Sequence, residues 1–137
     1  MFNFPTIAVG ALILNPKSEL FLMSAHSWKS RYVVPGGHVE YMEELEKALK
    51  REVWEETNLE IFDIDFFGYY ESINNTEFFK KKHFIFMDFL CHTKSEKVVL
   101  NEEGLNYVWV SPENALKLDL AGTTRQLIED FIQSTHA

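Results

Sequence analysis

The sequence predicts an α/β or α+β sandwich, in which a sheet packs against helices. Three observations lead to this fold class. Several short runs are rich in β-branched and aromatic residues and are separated by polar turn residues. A long segment with strong helix composition follows the third of these runs, and a second helical pattern lies near the end of the chain.

Six runs are strand candidates, and a turn joins the first two. Asn15, Pro16, Lys17 and Ser18 have turn chemistry, because Pro presets φ and the Asn and Ser side chains bond nearby backbone groups. We therefore expect the first two strands to form an antiparallel hairpin. The runs are residues 6–14, 20–23, 32–34, 61–72, 83–91 and 107–110.

Two helices and one short helical segment complete the predicted elements. Residues 42–57 contain neither Gly nor Pro and are rich in Glu, Leu, Lys, Ala and Arg, so we expect a long helix after the turn at Pro35, Gly36 and Gly37. A second helix is predicted at about residues 123–134, and a short one at 112–118. The second helix has apolar residues at helical spacing, namely Leu127, Ile128, Phe131 and Ile132.

Length, composition and charge limit the class of protein. The 137 residues, 46% of them hydrophobic, are enough for one compact domain over residues 1–137 without disulfides. The formal net charge of −8 opposes a broad nucleic-acid surface or an anionic membrane as partner. The single cysteine, Cys91, lies in an apolar run and is expected to be inert core. No Lys or Arg precedes the short apolar run 6–14, so we expect a cytoplasmic protein.

Acidic residues of the predicted long helix face the same way as its apolar residues. At about 100° per residue, Glu52 and Glu56 lie on the apolar stripe and Glu55 flanks it. Glu-rich helices usually turn these residues to solvent, but clustered inward carboxylates repel one another unless divalent cations neutralise them. The apolar stripe consists of Leu45, Ala48 and Leu49, and the opposite face of Glu46, Lys47 and Lys50.

The whole segment from Gly37 to Leu59 resembles the Nudix box, GX5EX7REUXEEXGU with U aliphatic. Every fixed position matches except the second glycine, which is Asn58 here. Asn is the next most tolerant residue for the left-handed conformation that ends a helix, so the departure is mild. The matched residues are Gly37, Glu43, Arg51, Glu52, Glu55 and Glu56. The resemblance implies a Nudix-type α/β/α sandwich, with a mixed central sheet flanked by helices and a loop–helix–loop catalytic motif.

The resemblance also implies residue roles. Gly37 would allow a tight turn, and the Gly36 carbonyl together with Glu52, Glu55 and Glu56 would bind Mg²⁺, with Mn²⁺ as substitute. Glu52 fits the general base of parts of the family, and Arg51 the residue that orients it by pairing with it or with Glu43. Glu103, in the acidic loop before the last strand, would complete the metal site; an ordinary charged loop residue is the equal alternative.

Other residues are substrate candidates from their position alone. Trp28, Lys29 and Arg31 lie in the loop before the glycine turn, and His38 follows it; surface or bystander roles are the alternatives. The basic run 80–82 is expected to be a solvated loop or strand edge, with phosphate steering as the alternative.

The expected function is Mg²⁺-dependent hydrolysis of a phosphoanhydride bond in a nucleoside diphosphate linked to another group, with a nucleoside triphosphate favoured as substrate. ADP-ribose or another nucleotide sugar is the alternative substrate. A non-catalytic nucleotide-binding module of the same fold is an alternative of another class, against which the complete acid set argues. An isopentenyl diphosphate isomerase would need Cys motifs that Cys91 alone does not supply. The expected partner is a small nucleotide, and a homodimer is compatible with the sequence.

Overall fold

A computed structural model describes residues 3–136 of the chain. Within these residues, seven strands form one mixed sheet. The strands are β1 Thr6–Leu14, β2 Leu20–Ala25, β3 Tyr32–Val33, β4 Gly36–His38, β5 Phe62–Ile73, β6 His83–His92 and β7 Gly104–Val110. The helices are α1 Leu45–Thr57, α2 Pro112–Ala115 and α3 Gly122–Thr135, together with a short 3-10 helix, His26–Trp28. None of the helices in the described part has the length and apolar character that a bilayer crossing requires.

Strand β1 joins the two halves of the sheet. It runs parallel to β6 from the Thr6–Phe84 pair to the Leu14–His92 pair, and β5 lies antiparallel on the other side of β6. Along its opposite edge, β1 pairs antiparallel first with β4 and then, at Leu14 and Leu20, with β2. Strand β2 in turn pairs with β3 and β7. The sequence prediction of an antiparallel pair β1–β2 is confirmed.

Helices cover both faces of the sheet. The apolar side of α1 packs into one buried cluster that includes Val9, Ile13 and Phe89. The apolar side of α3 packs into a second cluster with Leu12 and Leu22. Ile13 and its neighbour Leu12 on β1 therefore enter opposite clusters, in line with the period of two in a strand. The predicted mixed α+β sandwich is confirmed.

Helix α1 begins later than the sequence predicted. The prediction of 42–57 is wrong at its start, because Met42 has a φ of 64° and Glu44 is extended, so neither residue is helical. The Glu43 N–H donates to the Glu40 carbonyl at 3.0 Å and closes a turn before the helix. The predicted end is confirmed: Asn58, at φ 61°, donates its N–H to the Trp54 carbonyl at 2.9 Å.

Two strands, β2 and β7, are longer than the sequence pattern predicted. The run 20–23 continues to Ala25, and the run 107–110 begins at Gly104, because β2 and β7 pair with each other through these added residues. The other predicted bounds differ by one residue at the ends of β3, β5 and β6, and α3 is one residue longer at each end than 123–134. The segment 112–118 is helical only over Pro112–Ala115.

The turn that joins β1 and β2 has the predicted chemistry. The Asn15 side-chain oxygen accepts hydrogen bonds from the N–H groups of Lys17, at 3.0 Å, and Glu19, at 2.9 Å. These are the local side-chain bonds that make Asn a turn residue.

Candidate active site

A cavity of about 330 Å³ lies on the sheet where β1, β4 and β6 are neighbours. Its lining combines carboxylates with aromatic rings. The acidic residues are Glu52, Glu56, Asp88 and Glu103, and the aromatic residues are Trp28, Phe78, Phe84 and Phe86. Its volume lies within the range of small-molecule pockets, about 300–1,000 Å³. The cavity therefore offers both carboxylates and aromatic rings to one ligand.

Two glycines bring the backbone of β4 against its neighbours. The sequence prediction of a tight turn at Gly37 is wrong, because Gly36 and Gly37 are strand residues that pair with Gly10 and Val9. Neither glycine has a positive φ. A Cβ on Gly36 would overlap the Val9 carbonyl oxygen, and one on Gly37 would overlap the Glu52 carboxylate. The glycines are required for space, and they let Glu52 lie directly on the strand.

Arg51 holds the first carboxylates of the site in place. Its guanidinium donates to both oxygens of Glu43, at 2.8 and 2.9 Å, and to Glu52 Oε1 at 2.9 Å. A fourth bond, at 3.1 Å, reaches the His38 carbonyl of β4. These hydrogen bonds lower the pKa of Glu43 to about 2 and raise the pKa of Arg51. Arg51 thus contacts both glutamates named from the sequence; its role in orienting a general base remains a prediction.

Glu56 lies deeper than Glu52 and forms no ion pair with a cationic side chain among the described residues. Its Oε1 accepts a hydrogen bond from the Gly36 N–H at 2.8 Å. The pKa of Glu56 is raised to about 8, mainly by burial and further by the charges of Glu52, Glu103 and Glu55. The hydrogen bond from Gly36 opposes this shift. Burial also raises the pKa of Glu52, although Arg51 opposes the shift. Burial and mutual repulsion of these carboxylates therefore favour the binding of protons or cations at the cluster.

The donor chemistry fits a hard divalent cation, although the side chains do not form a ready chelate. Within residues 3–136, no three His, Cys, Asp or Glu side chains are arranged to hold a metal ion as they stand. The reason is visible in the contacts, since Glu52 is engaged by Arg51, and the Glu55 side chain is 52% exposed. The residues predicted as ligands nevertheless supply several carboxylates around Glu56, whose pKa is raised. Carboxylate oxygens are the ligands that Mg²⁺ prefers.

Glu103 lies at the cavity with the box glutamates. Its carboxylate accepts hydrogen bonds from the Ser27 N–H, at 3.1 Å, and from the Ser27 hydroxyl. Its own N–H donates to the Asn101 side chain at 3.0 Å, and its carbonyl accepts from the His26 N–H at 3.1 Å. The loop before β7 is therefore tied to the loop after β2, which brings Glu103 towards Glu56.

The predicted substrate residues divide into two groups. Trp28 and His38 line the cavity, and the Trp28 ring lies 4.8 Å from that of Phe78, centroid to centroid. Lys29 and Arg31 do not line it. The Lys29 ammonium donates to the Thr76 carbonyl at 2.6 Å, and Arg31 forms ion pairs with Glu77 and Asp119 at 3.7 and 3.9 Å. The structure thus brings only two of these four residues to the site.

The basic run lies near the cavity, because Lys82 contacts Phe84 of its lining. Lys80 and Lys81 are exposed, and Lys80 and Lys82 lie over the rings of Phe79 and Phe84 at 5.2 and 5.9 Å. Burial lowers the pKa of His38, and the charges of Lys82 and Lys80 lower it further. The lysines are therefore close enough to influence a group that lines the cavity.

Some residues that line the cavity were not predicted from the sequence. These are Asp88 on β6, Ser27, and Thr123 and Thr124 at the start of α3. One feature of the sequence does point to Asp88, because it is the single charged residue inside the apolar run 83–91. Cys91, in the same run, is fully buried, and burial raises its thiol pKa to about 12, as expected for inert core.

The chain is similar to known proteins in both sequence and structure. Residues 4–131 match the family model described as NUDIX domain. The nucleoside triphosphatase NudI of Escherichia coli is 29% identical over 104 residues, which cover 72% of this chain and 74% of that protein. The crystal structure of the MutT protein from Methanosarcina mazei Go1 has a TM-score of 0.81 and 29% identity, and the match covers all of both chains. The NUDIX domain of Shewanella oneidensis NrtR, solved with ADP ribose, has a TM-score of 0.81 at 16% identity, covering 98% of this chain and 90% of that one, and shows the fold alone.

The family model and the relatives identify the chain as a hydrolase of the class that acts on phosphoanhydride bonds. The chain belongs to the Nudix hydrolase family, since the family model covers most of its length.

Proposed function

We propose that the protein hydrolyses a nucleoside triphosphate in a Mg²⁺-dependent reaction that releases pyrophosphate. The observation that carries the proposal is the carboxylate cluster around Glu56, in a cavity that is also lined by aromatic rings. The similarity to the nucleoside triphosphatase NudI supports the choice of substrate class.

The charges of substrate and site require a cation between them. A triphosphate is a polyanion, and the carboxylates of the site would repel it. In the proposed complex, Glu52, Glu55 and Glu56 hold Mg²⁺ with the Gly36 carbonyl, Glu103 contributes from the loop before β7, and Mn²⁺ serves as substitute. When bound, the metal supplies charge neutralisation at the phosphates and lowers the pKa of a water molecule.

The chain's own residues position the reacting groups. In this proposal Glu52 accepts a proton from the attacking water, and the bond from Arg51 at 2.9 Å supports this role by holding its carboxylate. Arg51 is fixed in turn by Glu43 and by the His38 carbonyl. Trp28 and His38 contact the nucleotide from the cavity wall. Lys29 and Arg31 remain predicted substrate residues, but they must leave their present partners to reach it.

The remaining parts of the proposal concern the whole protein. We expect residues 1–137 to act as one domain in the cytoplasm, with a small nucleotide as ligand and with no nucleic-acid or membrane surface. A homodimer is compatible with this function.

A substrate screen tests the proposal. Nucleoside triphosphates, nucleotide sugars including ADP-ribose, dinucleoside polyphosphates and capped RNA fragments are each incubated with Mg²⁺, and phosphate is measured after coupling to phosphatase. The matched control is Glu52→Gln. We expect turnover of at least one nucleoside triphosphate by the wild type and strongly reduced turnover by the variant. Exclusive turnover of ADP-ribose would replace the substrate, and binding without turnover of any compound would indicate a binding module.

A further inference from the structure

Asp88 is a buried carboxyl group in the wall of the cavity. It is 4% exposed and lies on the face of β6 that also carries Phe84 and Phe86, four and two residues before it. Its neighbour on β1 is Gly10, and a Cβ there would overlap the Asp88 carboxylate. The absence of a side chain at Gly10 therefore leaves the space that Asp88 occupies.

The polar contacts of the described residues leave this carboxyl without a partner. Among residues 3–136, no donor forms a hydrogen bond or ion pair with Asp88. The single described side-chain atom that is both fully occluded and unpartnered is His83 Nε2, so the Asp88 oxygens remain open to the cavity. A buried carboxyl without a donor is unfavourable, and groups of this kind in a cavity are candidates for ligand binding.

Flat apolar surface adjoins Asp88. The Phe84 and Phe86 rings stack at 5.0 Å between centroids, with 25° between their planes, and Trp28 lies 6.1 Å from each of them. Aromatic rings of this kind bind other flat rings through their faces or edges. A planar heterocycle against this wall would place its polar edge near the Asp88 oxygens.

The spacing to the glutamate cluster suits the other end of a nucleotide. Gly10 pairs with Asp88 on one side and with Gly36 on the other, and Glu56 is bonded to the Gly36 N–H. Two strand spacings, roughly 10 Å, therefore separate the backbone at Asp88 from the backbone that holds Glu56. This distance leaves room for a sugar between a base at Asp88 and phosphates at the carboxylate cluster.

We propose that Asp88 is a specificity-determining residue that accepts a hydrogen bond from an amino or ring N–H group on the edge of the substrate's nucleobase, while the rings of Phe84 and Phe86 contact the base. The inference rests on the proposed function in taking a nucleotide as the ligand. It assigns no part in the hydrolysis to Asp88.

Equilibrium binding of nucleoside monophosphates in the presence of Mg²⁺ tests this role independently of turnover, because a monophosphate has no phosphoanhydride bond to hydrolyse. Isothermal titration calorimetry compares nucleoside monophosphates in matched pairs, in which one member lacks the base donor. The pairs are GMP and IMP, AMP and purine riboside monophosphate, CMP and the monophosphate of its analogue without the 4-amino group, and UMP and N3-methyl-UMP. We expect the wild type to bind the donor-bearing member of at least one pair about 10- to 100-fold more tightly, as for a hydrogen bond to a charged acceptor.

Two variants and a control decide the assignment. Asp88→Leu should reduce the ratio of affinities within that pair to less than twofold. Asp88→Asn keeps the shape of the side chain and should reduce the ratio severalfold. The Asn variant decides the test if the leucine variant does not fold. Asp65→Leu, an exposed acid on the neighbouring strand β5, should leave the ratio unchanged. Nucleotide binding without preference in any pair, or a preference that survives in Asp88→Leu, overturns the role of Asp88 alone. Failure of every nucleotide to bind overturns the proposed function as well.

Discussion

Replacement of Asp88 by Asn is expected to stabilise the protein in a strongly pH-dependent way. Asp88 is 4% exposed, and burial raises its pKa to about 7, whereas an aspartate in the unfolded chain has a pKa of about 3.9. Between these values the native state binds more protons than the unfolded state, so stability falls as pH rises. Above pH 7 both states are ionised at this position, and the full penalty is present.

The size of the effect follows from the pKa difference. Each unit is worth about 1.4 kcal/mol, so the total penalty is about 4 kcal/mol above pH 7. Roughly two of these pH units lie between pH 5 and the native pKa of about 7. About 3 kcal/mol of the penalty therefore develops between pH 5 and pH 8. Asn does not titrate, and it keeps the volume of Asp. The difference in free energy of unfolding between Asp88→Asn and the wild type should therefore increase by about 3 kcal/mol from pH 5 to pH 8.

Urea unfolding at both pH values measures this difference directly. The matched control is Asp65→Asn, which makes the same substitution at an exposed position on the neighbouring strand β5. Equal stabilisation by Asp88→Asn at pH 5 and pH 8, within about 0.5 kcal/mol, would refute the reasoning, since it would mean that Asp88 is not held in a medium that disfavours its charge.

Three further predictions concern the proposed active site. Glu52→Gln should lower kcat by about two to four orders of magnitude with an unchanged or raised Tm, because a proton acceptor and one repelling charge are lost; unfolding in step with lost turnover would assign Glu52 a structural role. Gly37→Ala should displace the Glu52 carboxylate and lower kcat while far-UV circular dichroism is retained, and near-normal turnover would show that the close approach is unimportant. Asn58→Val should cost about 1–2 kcal/mol of stability in urea unfolding, because the β-branched residue resists the left-handed φ, whereas Asn58→Gly should be close to neutral.

Sequence patterns predicted α1 and its carboxylates well because both depend on local periodicity. The helical spacing placed Glu52 and Glu56 on the inward side and Glu55 at its border, as the structure shows them. Asn58 was expected at the left-handed position that ends the helix, and it lies there. These features require only the geometry of one helix and its cap.

Features that depend on contacts distant in sequence were missed or misassigned. Strand β4 was taken for a turn, because two adjacent glycines have the same composition in either structure; only the pairing with β1 determines that they are extended. Lys29 and Arg31 were placed near the cavity by sequence position, but their partners Thr76 and Glu77 belong to a loop more than forty residues away. Asp88 was missed because its exposure to a cavity arises from strand register, which the run 83–91 alone does not specify.

The most direct test of the central claim is a ³¹P NMR time course of the wild-type protein with a nucleoside triphosphate and Mg²⁺, to which excess EDTA is added before the substrate is exhausted. We expect resonances of nucleoside monophosphate and pyrophosphate to grow and then to stop growing when EDTA is added, while the fold is retained. Continued turnover after EDTA on metal-free protein, or release of orthophosphate with nucleoside diphosphate as the primary products, would contradict the proposed reaction.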